Sequence, residues 1–201
     1  MAAAAFVPGA DNGWHCVAKL AELEVAAESG RGLHIPPYEF ESREWAQHSG
    51  QRNSELSERE QNDPPQSITP TLAVFMVRSQ ANKEKYQIYA IEDACPHAGH
   101  MLSKGDLLIG DIEDIAPDCG VGGVVACPAH AFTYDLASGY CLSNPDSGGK
   151  ATCYEAMVHD GAVYIGRPRV NPLPPSLTKE QTDSIQLRLV SQALDRKYGT
   201  A

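Results

Sequence analysis

No stretch of the 201 residues approaches the ~20 consecutive apolar positions that a membrane-spanning helix needs. Positive charge is also in short supply. Lys and Arg number 16 against 26 Asp and Glu, a formal net charge of −10 at pH 7. Such a surface repels nucleic-acid phosphates and anionic lipid headgroups, so neither is an expected partner. A basic face on a protein partner is the natural complement, although charge of this size also serves solubility alone. The opening residues Met1–Ala5 carry no basic cluster and are followed by Pro8, Gly9 and Asp11. That pattern has neither the charged nor the apolar region of a secretory leader, nor the arginines of a mitochondrial one. The expected location is the cytosol. Six cysteines, at 16, 95, 119, 127, 141 and 153, are too few and too scattered for a disulfide framework. The chain shows no internal repeat, nucleophile elbow or phosphate-binding glycine loop.

What is present points to one β-rich domain. The hydrophobic fraction of 42% is enough for one packed core. Trp14–Leu20 reads as a first strand and His34–Ile35 as the start of another, stopped by Pro36 and Pro37. Residues 39–70 are rich in Glu, Gln, Ser, Asn and Arg and poor in large apolar side chains, as in an exposed, mostly irregular insertion. Thr71–Arg78 and Tyr86–Ile91 read as a hairpin whose second strand runs into Cys95. Val124–Ala126 leads into Cys127, Phe132–Leu136 leads away from it, and Tyr140–Leu142 returns as a strand. Asp160-Gly161 between two apolar runs predicts a terminal hairpin. After the proline-rich stretch Pro168–Pro175 comes the one convincing helix. Thr178 and Gln181 make a capping box, Ile185, Leu189 and Ala193 share a face, and Gly199 ends it. Many short strands and one late helix favour a small β sandwich or barrel.

Two segments carry metal chemistry. Cys95-Pro96-His97-Ala98-Gly99-His100 and Cys127-Pro128-Ala129-His130 each supply a thiolate and an imidazole. Zinc fingers usually pair Cys with Cys and His with His. Mixed pairs on two loops suit a diiron centre better, with two cysteines on one iron, two histidines on the other and sulfides between.

These residues resemble the Rieske iron–sulfur family. CPHAGH at 95–100 and CPAHAFTYDLASG at 127–139 carry the likeness, which extends from Trp14 to Gly166 apart from the insertion at 39–70. The small soluble Rieske-type ferredoxins of eukaryotes are the nearest group, through the intervening Gly110–Asp114. The resemblance implies an all-β fold of three antiparallel sheets with a cluster-binding subdomain at about 95–142. A separate linker and helix would occupy 167–201. It implies one [2Fe–2S] cluster held by Cys95, Cys127, His97 and His130, the histidines through Nδ1 on the exposed iron.

Two departures from that pattern bear on tuning. The spacer Ala98–Ala126 is 29 residues, longer than is usual in the family. Lengthening a loop costs only about 0.6 kcal/mol per doubling, so the site survives it. The acidic stretch around 106–123 is then free to shape partner choice. In respiratory members a second cysteine in each loop forms a disulfide, but His100 and Ala129 stand at those positions here. A serine donor to a bridging sulfide corresponds to Phe132, whereas Tyr134 falls where those proteins place a tyrosine donor to a cysteine sulfur. The implied potential is on the low, ferredoxin-like side.

The remaining thiols at Cys16, Cys141 and Cys153 read as core packing, Cys119 as a loop thiol, and His15, His34, His48 and His159 as structural or surface groups without clustered carboxylates. After Gly166 only 35 residues remain, none of them His, which leaves no room for the mononuclear-iron domain of an oxygenase. The expected function is a one-electron carrier and not an enzyme, passing electrons from a reductase to an oxygenase or other acceptor. The alternatives are a small subunit of a larger reductase, such as a nitrite reductase, and a structural zinc or interaction module.

Overall fold

The computed structural model describes residues 12–36, 70–78, 85–108, 121–170 and 175–198. In chain order these form β1 (His15–Lys19), α1 (Leu20–Glu28), β2 (Leu33–Ile35), β3 (Leu72–Arg78), β4 (Tyr86–Glu92), a 3-10 turn at Leu102–Lys104, β5 (Asp106–Leu107), β6 (Val124–Ala126), β7 (Thr133–Asp135), β8 (Cys153–His159), β9 (Ala162–Pro168) and α2 (Lys179–Tyr198). The polar segment at 39–69, the acidic stretch at 109–120 and Cys119 lie outside the described residues.

All strand pairs are antiparallel, as expected, and they form a six-stranded sheet in the order β1-β9-β8-β4-β3-β2 and a three-stranded sheet β5-β6-β7. Where the resemblance implies three sheets, the described strands form two. β4 and β8 pair only at Ala90–Tyr154 and Ile91–Cys153, a short seam between β1-β9-β8 and β4-β3-β2.

The dense run in β3 is explained by burial on both faces. Leu72, Val74 and Met76 enter one core with Val17, Leu23, Ile35 and Ile165. Ala73 and Phe75 enter the other with Ile91, Leu102, Val125, Tyr134 and the cysteines. A strand covered on both sides reads as a continuous apolar run instead of an alternating one. The β8–β9 turn is built as Asp160-Gly161 predicts, with φ of 48° and 73°, the double left-handed geometry of a tight hairpin.

α1 departs from the expectation of a single helix. Only Leu23 on it is buried, so the sequence shows little apolar periodicity there. Its ends are nevertheless well closed. The Glu22 carboxylate accepts the Lys19 N–H at 2.9 Å. At the other end Gly30, at φ 67°, donates to the Ala27 carbonyl at 2.9 Å, and Arg31 donates to Ala26 at 3.1 Å. This left-handed C-terminal closure satisfies carbonyls that would otherwise lack donors. Cys16 also departs from expectation. It is exposed, because Val17 takes the inward position on β1 and its neighbours therefore face out.

α2 forms as expected. The Gln181 N–H donates to Thr178 Oγ1 at 3.2 Å, and the Thr178 N–H donates to Gln181 Oε1 at 2.9 Å. Ile185 and Leu189 are buried with Leu108, Val124, Ala126 and Leu142 on the three-stranded sheet.

Candidate metal centre

β4 delivers the first metal-binding segment and the β6–β7 hairpin delivers the second. Both are closed by the same backbone plan. In the first loop the Cys95 N–H donates to the His100 carbonyl at 2.8 Å, and the Gly99 N–H returns to the Cys95 carbonyl at 2.7 Å. In the second the Cys127 N–H donates to the Phe132 carbonyl at 2.8 Å, and the Ala131 N–H returns to Cys127 at 3.0 Å. The residue four past each cysteine is left-handed, with φ of 72° at Gly99 and 56° at Ala131.

This plan splits the four donors by depth. Cys95 and Cys127 are each 2% exposed, inside the apolar cluster with Leu102, Leu107, Val125 and Leu136. His97 and His130 are exposed at the loop tips. Their rings stand edge to face with centroids 5.0 Å apart. Phe132 packs on His97 at 4.3 Å, and the His100 ring lies 6.0 Å from His130. Among the described residues no three His, Cys, Asp or Glu side chains are gathered around one point. The donors form instead a buried thiol pair and an exposed imidazole pair.

Burial pushes the Cys127 thiol above its ordinary pKa, and contact with Cys95 adds to the rise. The backbone N–H groups of Ala129 and His130 oppose it by donating to the sulfur. A metal therefore has to displace a proton here, and donors for the resulting thiolate are already in place. Tyr134 is fully buried, with its hydroxyl 3.3 Å from Cys95 Sγ and 2.8 Å from the Gly148 carbonyl, to which it donates. Its pKa is raised, first by burial and then by the Cys95 contact, so the phenol stays neutral.

Each loop also rests on a buried aspartate that the sequence did not single out. Asp93 accepts the Ser103 N–H at 2.6 Å and the Ser103 hydroxyl at 2.9 Å, and it bonds His34 Nδ1 at 2.6 Å. His34 thus has a carboxylate partner, contrary to expectation, because β2 brings it across from 59 residues away. Asp135 accepts the N–H groups of Gly122 at 2.9 Å, Ala137 at 3.2 Å and Ser138 at 2.8 Å, together with the Ser138 hydroxyl. Both aspartates are 0% exposed. Cys141 and Cys153 are buried beside the site, as core thiols should be.

Residues 51–155, about half the chain, match the family described as Rieske [2Fe-2S] domain. The 3-phenylpropionate/cinnamic acid dioxygenase ferredoxin subunit of Escherichia coli (strain K12) is 31% identical over 104 residues, covering 52% of this chain and 79% of that one. The protein of the same name from Shigella flexneri serotype 5b (strain 8401) has the same identity and coverage. Both relatives are bacterial. Among solved structures, a chain from the complex of reduced oxygenase and oxidized ferredoxin in carbazole 1,9a-dioxygenase superposes with a TM-score of 0.45 at 19% identity, over 80% of this chain and 99% of that chain.

Proposed function

Because the chain belongs to the Rieske [2Fe–2S] domain family, we propose that it is a one-electron carrier whose cluster would be held by Cys95, His97, Cys127 and His130. The carrying observation is the sorting of four donors into a buried thiol pair and an exposed imidazole pair whose rings are 5.0 Å apart. Two donors of each kind would suit a diiron group, with Cys95 and Cys127 as its buried ligands and His97 and His130 as its exposed ones. When bound, such a cluster takes up and releases single electrons.

The chain's own residues set the conditions for that exchange. The apolar surroundings of Cys95 and Cys127 keep water from the sulfurs. The N–H groups of Ala129 and His130 offer hydrogen bonds to the Cys127 thiolate, which favour the reduced state by spreading its extra charge, while the Tyr134 hydroxyl, whose proton goes to the Gly148 carbonyl, lies 3.3 Å from Cys95 Sγ. Phe132 has no hydroxyl to give, so one donor position is vacant in its chemistry. The exposed edges of His97 and His130 form the face at which electrons enter and leave.

The named relatives are ferredoxin subunits, carriers and not the oxygenases they serve. By that likeness the partners are a reductase upstream and an oxygenase or comparable acceptor downstream. The formal charge of −10 suits basic docking faces on both. We read residues 14–166 as one carrier domain with 39–70 inserted, 95–142 as its cluster-binding part, and 167–201 as linker and helix. Among the described residues no helix is long and apolar enough to cross a membrane, and a cytosolic carrier is the reading we adopt. A particular kinship with small eukaryotic ferredoxins rests on 110–114, which lie outside the described residues.

The test is metal and sulfide analysis of anaerobically purified protein, followed by EPR after dithionite reduction. Two irons and two sulfides per chain are expected, with a rhombic signal of low average g. Cys95→Ala and Cys127→Ala should each remove all iron, and His97→Ala or His130→Ala should remove or alter the signal while His100→Ala does not. One zinc per chain and no sulfide would establish the structural-metal alternative instead.

A further inference from the structure

Tyr134 has one hydroxyl proton and two neighbours that compete for it. The hydroxyl donates to the Gly148 carbonyl at 2.8 Å and lies 3.3 Å from Cys95 Sγ. With its proton committed to the carbonyl, the oxygen turns only lone pairs toward the sulfur. The Cys95 thiol can then donate to the tyrosine but receives nothing from it. The sequence resemblance implies the reverse, a tyrosine that donates to a cysteine sulfur.

The carbonyl is held in place by the packing of its own segment. Tyr134 and Cys141 face each other across an antiparallel bridge. Gly148 is buried against Cys141, and a Cβ there would overlap the Cys141 side chain. The Gly148 N–H donates to the Asn144 carbonyl at 2.8 Å, which closes the turn. Gly149, at φ 70°, lies against the residue that follows Cys95, where an added Cβ would sit 2.9 Å from Pro96 Cβ. Among the described residues the Gly148 carbonyl accepts no second hydrogen bond. Turning the hydroxyl toward Cys95 would therefore leave a buried carbonyl without a donor. Sulfur is also the weaker acceptor of the two.

We propose that the Gly148 carbonyl is a positioning group for electron transfer, which keeps the Tyr134 proton off Cys95 and so holds the reduction potential low. A hydrogen bond to a ligand sulfur favours the reduced state, and this one is withheld. The inference rests on the cluster-binding reading above.

Redox titration of the iron-loaded protein, followed by EPR, reads the sign of the effect. Tyr134→Phe should leave the midpoint potential unchanged or raise it, because no bond to sulfur is lost. Gly148→Ala pushes the segment off Cys141 and releases the proton to Cys95. It should favour reduction about tenfold, or about 59 mV for one electron. Without the hydroxyl, in the Tyr134→Phe background, Gly148→Ala should have no such effect. A general disturbance of the fold would not show that dependence. In cofactor-free protein with isotope-labelled glycine carbonyls, NMR should show the Gly148 resonance moving upfield in Tyr134→Phe as its hydrogen bond is lost. A lowered midpoint in Tyr134→Phe, a Gly148→Ala effect that persists without the hydroxyl, or an unmoved Gly148 resonance would overturn the proposal. Wild-type protein that takes up no iron would overturn the carrier reading and this inference together. Loaded wild type with a lowered midpoint in Tyr134→Phe would overturn this inference alone.

Discussion

The two metal-binding loops share one backbone plan but are supported by different means. In both, a cysteine N–H reaches the carbonyl five residues on, and a left-handed residue sits four past the cysteine. In the first loop that residue is Gly99, and in the second it is Ala131. The first loop's aspartate relies on Ser103 and on a half-exposed histidine from a distant strand. The second loop's aspartate gathers two backbone N–H groups and a hydroxyl from the next three residues, and one more N–H from Gly122, 13 residues back. The same geometry is thus held once by residues distant in sequence and once mostly by adjacent ones. The second loop tolerates backbone strain that the first avoids.

Removing the aspartates should separate the loops most strongly. Asp135→Ala leaves three backbone donors buried or half-buried without their acceptor, and roughly 3–5 kcal/mol of stability is expected to go with them. Asp93→Ala strands one backbone donor and one hydroxyl, so a smaller loss of roughly 2–3 kcal/mol is expected. Urea denaturation of the cofactor-free protein measures both. Equal losses would show that local and long-range support do not differ in strength.

Alkali should act from the side of the second loop. Burial pushes the Cys153 thiol up to about 12, with Asp135 adding to the rise while Arg169 and Lys150 oppose it. Burial likewise raises Tyr89 to about 12, again with a contribution from Asp135. Both groups are neutral when protonated and lose their protons earlier in the unfolded chain, near 9 and 10. Their contribution to stability is therefore complete below about pH 9 and is lost as pH rises toward 12. Stability of the cofactor-free protein measured across this range should fall, and Cys153→Ala should delay the onset. A fall of unchanged onset in that variant would place the titrating group elsewhere.

Exchanging the left-handed residues is a smaller perturbation but a cleaner one. A Cβ added at Gly99 meets nothing within 4 Å, so Gly99→Ala tests backbone conformation alone. About 1–2 kcal/mol of destabilisation is expected. Ala131→Gly removes the same strain, partly offset by the freedom glycine gains in the unfolded chain, and a gain of about 0.5–1 kcal/mol is expected. Opposite signs in thermal denaturation would show that the loops share one geometry energetically as well as in form. Two losses would mean that Ala131 is better accommodated than its φ implies.

The sequence made legible what short-range chemistry decides. Cys95, His97, Cys127 and His130 lie within two hexapeptide loops, and the strand signals on either side place those loops. Asp160-Gly161 and the Thr178–Gln181 box specify a turn and a helix start through contacts of three residues or fewer. α1 was harder to read, since it buries only Leu23 and owes its form to helix-forming Ala, Leu and Glu and to a glycine closure. Asp93 and Asp135 were harder still. An aspartate before a cysteine or after a tyrosine reads as a turn former. Its role as an acceptor emerges only when β2, the 3-10 turn or Gly122 arrives from elsewhere in the chain. Cys16 misled because a strand-like run does not say which of its faces is covered.

The finest distinction between the loops lies in His34. Its side chain is 38% exposed, and the hydrogen bond to Asp93 is one of three that the carboxylate receives from the residues around it. His34→Ala therefore leaves Asp93 buried but still bonded to Ser103, and the expected cost is about 0.5–1.5 kcal/mol. Global unfolding alone cannot assign so small a loss to one loop. Amide hydrogen exchange can, by comparing the Cys95 and Cys127 N–H groups, which are hydrogen-bonded in the same way. Local opening should speed exchange at Cys95 and leave Cys127 unchanged, because nothing in Asp135's set of donors comes from β2. Equal acceleration at both would mean that the aspartates act through one shared core, and the two loops would then open as a single unit.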